Sequence, residues 1–227
     1  MTQTTLETSE TRQDALRVLI VDDHDLFRTG LRNLLEEQGI QIVGEAAAGA
    51  EAIRSVRELA PDVVVMDLNM PGMTGVEATR QITSIAPLTR VLVLTISDQD
   101  SDVLDAILAG ACGYLLKDSS ITELMAGIRA ASVGESLISP TIASKVLQRV
   151  RSTSSVPAIA ETIRAELSDR EIEVLKLIAN GKDNANIAAE LHISPKTVKN
   201  HISNILMKLQ IENRIQAAVY AVRSGIV

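Results

Sequence analysis

The sequence predicts an α/β fold, a doubly wound parallel sheet of five strands, followed by a small all-α domain of four helices. Three observations predict it. Short apolar runs rich in Val, Ile and Leu stop abruptly at polar residues and alternate with segments of helical periodicity, the pattern of βα units whose strands are buried on both faces. From Leu167 onward every segment reads as helix or turn. Charge divides the chain the same way: residues 1–150 carry 12 basic against 21 acidic side chains, and residues 151–227 carry 10 against 8. An acidic front and a mildly basic back suggest two modules with different partners.

Taken in order, the first strand is expected at 17–22, ending in Asp22-Asp23. A helix follows from about Asp25 to Gln38, with Leu26, Phe27, Leu31, Leu34 and Leu35 at helical spacing and Gly39 as its stop. A short strand at 41–46 and a helix from Ala50 to Ala60 come next. The run Val63-Val64-Val65-Met66 then ends in Asp67. After a helix over 75–85, Arg90 to Leu94 ends in Thr95. A helix near 101–109 leads to Gly113-Tyr114-Leu115-Leu116, which ends in Lys117, and a helix from Ser120 to Val133 closes the fifth unit. Pro140 to Val150 has the marks of a further helix, with Ser139 as N-cap and Pro140 at its first position. Ser152 to Pro157 reads as a linker of small residues. Ser168-Asp169-Arg170-Glu171 is a capping box opening a helix to about Asn180, which Gly181 ends. Asp183 or Asn184 caps a second helix. Ser194, with Pro195 behind it, opens a third to about Leu209, and Arg214 to Ser224 forms a fourth.

A length of 227 residues allows one or two domains, and 46% hydrophobic content suffices for a core. Only Phe27, Tyr114 and Tyr220 are aromatic, so that core must be aliphatic. No apolar run approaches the ~18 residues needed to span a membrane. Met1 to Asp14 is Thr- and Glu-rich, which reads as a solvated tail rather than a signal peptide. The single cysteine, Cys112, excludes an internal disulfide framework and fits a reducing cytoplasm. Between Ala111 and Gly113 it reads as a small buried residue.

In open α/β sheets the carboxyl ends of the strands form the ligand edge. An isolated acid there usually only starts a turn. Here four strand ends would gather Asp22, Asp23, Asp67, Thr95 and Lys117. Three ionised carboxylates together cost several kcal/mol unless a cation shares the site. A small hard cation with oxygen ligands, Mg²⁺ or Mn²⁺, is the natural partner. A carboxylate so placed can act as a nucleophile toward phosphorus, with the metal and Lys117 offsetting charge on the phosphoryl oxygens. The pattern suits phosphoryl transfer to Asp67.

With Asp22-Asp23, Asp67, Thr95 and Lys117 in this order and spacing, residues 16–134 resemble a response-regulator receiver domain. That resemblance implies that Asp67 is the phosphoacceptor. It implies Mg²⁺ held by Asp23, Asp67 and the Asn69 carbonyl, with Asp22 acting mainly through water. Thr95 and Tyr114 resemble the family's switch pair, the hydroxyl moving to the phosphoryl group as the ring turns inward, and Lys117 would pair with the phosphate. Many receivers have proline after the lysine, with a cis bond. This chain has Asp118, which leaves a cis or strained non-proline peptide as an alternative. His24 is expected as a helix-start or surface residue rather than a ligand.

The segment Ile187 to His201 reads as helix, tight turn, capped helix, the helix-turn-helix pattern. Ile187, Leu191, Ile193, Val198, Ile202, Ile205 and Leu209 make its buried stripe, and Lys196, Lys199, Asn200 and Ser203 fall outside it. No acid occurs between Glu190 and Glu212. A basic helix with a polar face suits the DNA major groove, where lysine donates to guanine and asparagine pairs with adenine. An ordinary solvated face is the alternative. Leu167-Ser168-Asp169-Arg170-Glu171, Ile187-Ala188, Thr197-Val198-Lys199 with His201, and Lys208-Leu209 before Asn213-Arg214 resemble the LuxR-type helix-turn-helix over 161–227. The whole chain thus resembles the NarL/FixJ response regulators, with residues 1–15 a flexible tail and 135–160 a linker. The resemblance implies that Lys199, Asn200 and Ser203 face bases, while Lys196 and Thr197 lie near phosphates, which position without specifying. Ile215, Ala218 and Val222 on the last helix would supply a dimer contact, an intramolecular core face being the alternative. Where the family commonly has serine before the second helix, this chain has Asp183, which can still cap but would repel a phosphate.

The expected protein is a cytoplasmic transcription regulator that binds double-stranded DNA and is switched by a sensor histidine kinase. Phosphorylation would free the DNA domain, promote a homodimer, or both. No turnover enzyme and no membrane partner are expected. The rivals are a phosphatase or phosphotransferase using the acidic cluster, as haloacid-dehalogenase-like enzymes combine Asp, Lys and Mg²⁺, and a DNA-binding regulator whose unphosphorylated receiver answers to a ligand or protein partner.

Overall fold

The structure, a computed structural model, describes residues 15–97, 100–136, 138 and 166–226. Five βα units come first: β1 (Arg17–Val21), α1 (Asp25–Glu37), β2 (Gln41–Ala46), α2 (Gly49–Leu59), β3 (Val63–Met66), α3 (Gly75–Ile85), β4 (Arg90–Thr95), α4 (Asp100–Leu108), β5 (Gly113–Leu116) and α5 (Ile121–Ser132). The strands form one parallel sheet in the order β2-β1-β3-β4-β5. Order reverses beside β1, so β1 and β3 bracket a crevice at their carboxyl ends.

The apolar runs are continuous because both sheet faces are covered. Along β1 and β3, Val18, Ile20, Val63 and Val65 pack into one cluster with Leu35 of α1 and Ile128 of α5. The alternate residues, Leu19, Val21, Val64 and Met66, pack on the other side with Ala52 and Val56 of α2 and Ile82 of α3. Side chains of period two therefore serve two layers of helices. Gly127 lets α5 lie close on the sheet, since a Cβ there would stand 3.1 Å from both Leu92 and Leu115. Cys112 is buried, its thiol pointing to the Val91 carbonyl at 3.2 Å. Burial pushes that thiol up to about 12, out of the reactive range.

The second domain holds α6 (Asp169–Ala179), α7 (Asn184–Leu191), α8 (Pro195–Leu209) and α9 (Arg214–Arg223). Each start is written in its cap. Ser168 and Glu171 exchange both bonds of a capping box, Asp183 accepts from Asn186, and Ser194 accepts from Thr197 ahead of Pro195. Val174, Leu175, Ile187, Val198, Ile205 and Ala217 make the core. Glu171 is buried, and Lys208 of α8 pairs with it at 2.7 Å, tying α8 to α6.

Within the described residues the strands and helices expected from periodicity are present, with ends displaced by at most a residue or two. The cis bond left open at Lys117-Asp118 is not formed, for no peptide bond among the described residues is cis. The expected helix over 140–150 lies outside the described residues, as does the linker beyond Ile138.

Candidate functional site

The sheet ladder runs one residue past β1, β3 and β5 and carries their polar groups with it. Asp22 donates its N–H to the Ala46 carbonyl at 3.1 Å, Asp67 to Val21 at 2.9 Å, and Lys117 to Thr95 at 2.9 Å. Asp22, Asp67, Thr95 and Lys117 are thereby set side by side. Asp22 and Asp67 are each only 2% exposed. The Lys117 ammonium bridges them, Nζ lying 2.6 Å from Asp22 Oδ2 and 2.8 Å from Asp67 Oδ2. Burial alone would lower its pKa, but its hydrogen bonds and attraction to the two carboxylates outweigh that and hold it above the ordinary lysine value.

Asp23 is half-buried and completes the acidic set. Carboxylate oxygens of Asp22, Asp23 and Asp67, with a ring nitrogen of His24, lie within 4.8 Å of one another. Asp23 Oδ1 is buried without a hydrogen bond, although His24 Nδ1 stands 2.8 Å away out of donor alignment. An orphaned carboxylate oxygen in an oxygen-rich set fits Mg²⁺ or Mn²⁺. His24 itself is the N-cap of α1, two-thirds exposed, and its backbone N–H donates to Asp22 Oδ1 at 2.9 Å.

Thr95 is fully buried, and its Oγ1 accepts long hydrogen bonds of 3.4 Å from Asn69 Nδ2 and the Ser97 N–H. Tyr114 is also fully buried, its ring inward and its hydroxyl donating to the Ser97 carbonyl at 2.8 Å. Two supporting residues escaped sequence reasoning. Arg28 donates to the Asp22 carbonyl at 2.7 Å and reaches Asp25 and Glu45, pinning the loop that presents the acids. Its only sequence signal was a cation one turn into a helix that starts beside acids. Gly75 begins α3 so close to the site that a Cβ would lie 2.0 Å from the Asp67 carbonyl. The Thr74-Gly75 step at a helix start was that signal.

On α8, Lys196, Lys199, Asn200 and Ser203 are exposed and Thr197 is half-buried, beside the buried Val198, Ile205 and Leu209. Leu191, Ile193 and Ile202 of the expected stripe are partly buried. This face of α8 does not look into open solvent throughout. Lys199 Nζ pairs with Glu135 Oε1, beyond α5, at 3.1 Å. Lys199 and Ser203 line a cleft between the domains with Arg90, Glu135, Glu212 and Arg214.

Helix α9 closes the other side of this contact. Ile215 and Val219 join Val103, Ile107, Ala111 and Tyr114 in one apolar cluster, and Val222 packs at its margin. Asn213, buried, caps α9 and donates from Nδ2 to the Ala111 carbonyl at 3.0 Å, while Gln216 donates to the Ile107 carbonyl at 3.0 Å. Ala218 is half-buried within the second domain. Dimerisation through Ile215 and Val222 therefore requires the domains to part. Inward packing of Tyr114 is compatible with docking, since both occur together here.

Glu212 sits against Gly110 at this junction, where a Cβ would fall 1.9 Å from Oε2. Burial raises its carboxyl pKa in the docked state, and the Thr83 hydroxyl and Arg90 guanidinium oppose it. Glu212 is nevertheless an exposed residue, so solvent screens the effect. A raised acid pKa adds stability that is full below the undocked value and lost as pH rises through the docked value. Docking should thus weaken as pH climbs out of the carboxylate range. Small-angle scattering across pH checks this, with Glu212→Gln removing that component.

Residues 18–129 match the family model described as "Response regulator receiver domain", and residues 165–221 match "Bacterial regulatory proteins, luxR family". The chain is 47% identical over 213 residues to the transcriptional regulatory protein LiaR of Bacillus subtilis (strain 168), spanning 93% of this chain and 99% of that protein. It is 41% identical, over the same shares, to the response regulator protein VraR of Staphylococcus aureus (strain Mu3 / ATCC 700698). Among solved structures it is similar to that of two RcsB dimers bound to two parallel DNAs, with TM-score 0.54, 26% identity, and 93% and 99% of the two chains covered.

Proposed function

This chain belongs to the two-component response regulators that join a receiver domain to a LuxR-type helix-turn-helix, and is a transcription factor rather than a turnover enzyme; we propose that phosphorylation of Asp67 controls its binding to DNA. The observation that carries this reading is the Lys117 ammonium bridging two buried carboxylates at the sheet edge, 2.6 Å from Asp22 and 2.8 Å from Asp67. A structural ion pair needs one acid. A second and third acid beside it suit a metal and a phosphoryl group.

In this mechanism an Asp67 carboxylate oxygen attacks the phosphorus of the donor, and the donor's own bond to phosphorus breaks, its leaving group (the kinase imidazole, or acetate from acetyl phosphate) departing with the electron pair. Asp22, Asp23, Asp67 and the Asn69 carbonyl would hold Mg²⁺ or Mn²⁺, which when bound neutralises charge on the phosphoryl oxygens. Lys117 stays with the modified Asp67 as a cationic partner. Thr95 exchanges its long bonds from Asn69 and Ser97 for one donated to the phosphoryl group. That exchange moves the loop at Ser97, on which the Tyr114 hydroxyl rests, and so biases the apolar cluster that holds α9. The docked domain is the resting state. Its release uncovers Lys199 and Ser203 for bases, frees Asn200, Lys196 and Thr197 to approach the duplex, and exposes Ile215 and Val222, beside the half-buried Ala218 on the same helix, for a homodimer. The likeness to a structure with RcsB dimers on DNA supports that assembly. The receiver supports a sensor histidine kinase as phosphoryl source. No helix among the described residues is long and apolar enough to cross a membrane, and the proposed location is the cytoplasm.

Sizing chromatography of the intact protein with and without acetyl phosphate and Mg²⁺, with mass spectrometry, tests the switch. A Mg²⁺-dependent shift to dimer is expected. No change in size or in DNA affinity by a protein shown to carry the phosphoryl group would refute it. For the reading helix, Lys199→Ala should weaken binding to a cognate site by ~1–3 kcal/mol. Unchanged specific affinity in a binding titration would remove Lys199 from the interface.

A further inference from the structure

We infer that Phe27 is a positioning residue for phosphoryl transfer to Asp67, acting through Lys117; the inference rests on the reading of Asp67 as phosphoacceptor. Lys117 Nζ lies 4.6 Å from the centroid of the Phe27 ring. An ammonium has three N–H donors and no acceptor. Asp22 and Asp67 take two directions, and the ring is the third group against it. The Lys117 side chain is only 12% exposed, so little water competes for that place, and a cation facing an aromatic ring gains most when desolvated.

The sequence and fold both put the ring there. Phe27 stands in the first turn of α1, on the face whose next turns carry Leu31 and Leu35 into the core, and it packs on the cluster that also holds Leu124 of α5. It is the chain's sole phenylalanine, in a protein with two tyrosines and no tryptophan. A leucine would fill an aliphatic core position as well. What leucine lacks is the electron-rich face. Lysine carries four rotatable methylenes, and without the ring its ammonium can swing from the two acids. The ring narrows that freedom at the moment it matters. With acetyl phosphate as donor, Asp67 Oδ bonds to phosphorus as the P–O bond to the acetyl group breaks and acetate leaves with the electron pair, with no proton taken up or lost. Lys117 must then follow the charge from the carboxylate onto the phosphoryl oxygens, and Phe27 keeps it within reach.

Because one phenylalanine occurs in the chain, producing the full-length protein with mono-, di- or trifluorinated phenylalanine alters Phe27 alone. Each fluorine drains the ring face while nearly preserving its shape. The rate of Asp67 phosphorylation by acetyl phosphate at saturating Mg²⁺ should fall stepwise, about three- to tenfold across the series. Thermal stability, read in parallel, should not follow that order. Phe27→Leu should be slow, and Phe27→Tyr should restore the rate. In the monofluorinated protein, Lys117→Met should move the fluorine resonance. A rate indifferent to fluorination, with Asp67 phosphorylated normally, overturns the positioning role, as does a resonance unmoved by the loss of Lys117. If the unlabelled protein takes no phosphoryl group, the reading of Asp67 falls first and the role of Phe27 with it.

Discussion

Asp67→Asn protein incubated with acetyl phosphate and Mg²⁺ should gain no phosphoryl group. The amide keeps the shape of a side chain that is 2% exposed, so the fold should survive. It removes the nucleophilic oxygen, and transfer should slow by at least about three orders of magnitude, or ~4 kcal/mol of transition-state stabilisation. Two further effects follow from the geometry. Lys117 loses one of its two carboxylate partners and leans on Asp22. The metal set falls from three acids to two, so Mg²⁺ affinity should drop as well. Intact-mass spectrometry and a Mg²⁺ titration read these outcomes separately. A phosphoryl group still added to the variant at the parent's rate would place the chemistry on another residue.

Gln216→Glu should open the molecule without phosphorylation. Gln216 Nε2 donates to the Ile107 carbonyl at 3.0 Å and approaches Leu108 at 3.5 Å, while its Oε1 accepts from the Glu212 N–H at 2.7 Å. A carboxylate keeps the last bond and the side-chain size. It destroys the other two, setting negative charge against carbonyls at the negative end of α4 and beside Glu212. A lost donor and an opposed charge cost roughly 1–3 kcal/mol, and each ~1.4 kcal/mol is tenfold in population. The lost bonds to Ile107 and Leu108 and the repulsion from the end of α4 belong to the docked state alone, because in the released domain Gln216 has left α4. Unphosphorylated variant should bind a cognate site about tenfold tighter than unphosphorylated parent, and scattering should show a more extended particle. Equal affinity in both proteins would show that this contact does not restrain the reading helix.

Most of the fold was legible because its signals are local. Val63 to Met66 reads as a doubly buried strand from four residues, and Ser168 with Glu171 marks a helix start from four more. The acidic pocket was legible one step further, since βα alternation brings strand ends to one edge whatever the details of packing. Asp22, Asp67, Thr95 and Lys117 could be grouped before any distance was known. Within that group, sequence did not reveal that one ammonium spans both buried acids, that Arg28 pins the loop below them, or that Phe27 stands against the cation. Those contacts depend on rotamers and on where α1 comes to rest, which periodicity does not encode.

By itself the sequence determined two modules, their elements, the acidic edge and the basic helix, all consequences of short-range patterns and of how parallel strands must connect. Tertiary structure alone decided what lies between the modules. Ile215 has the same helical spacing whether it faces a partner copy or α4, and Lys199 reads the same whether it meets a base or Glu135. The bonds that choose join Asn213 to Ala111 and Gln216 to Ile107, groups 102 and 109 positions apart. Such contacts arise from the complementarity of two finished surfaces, so the choice between a covered and an open reading helix exists only once both domains have folded.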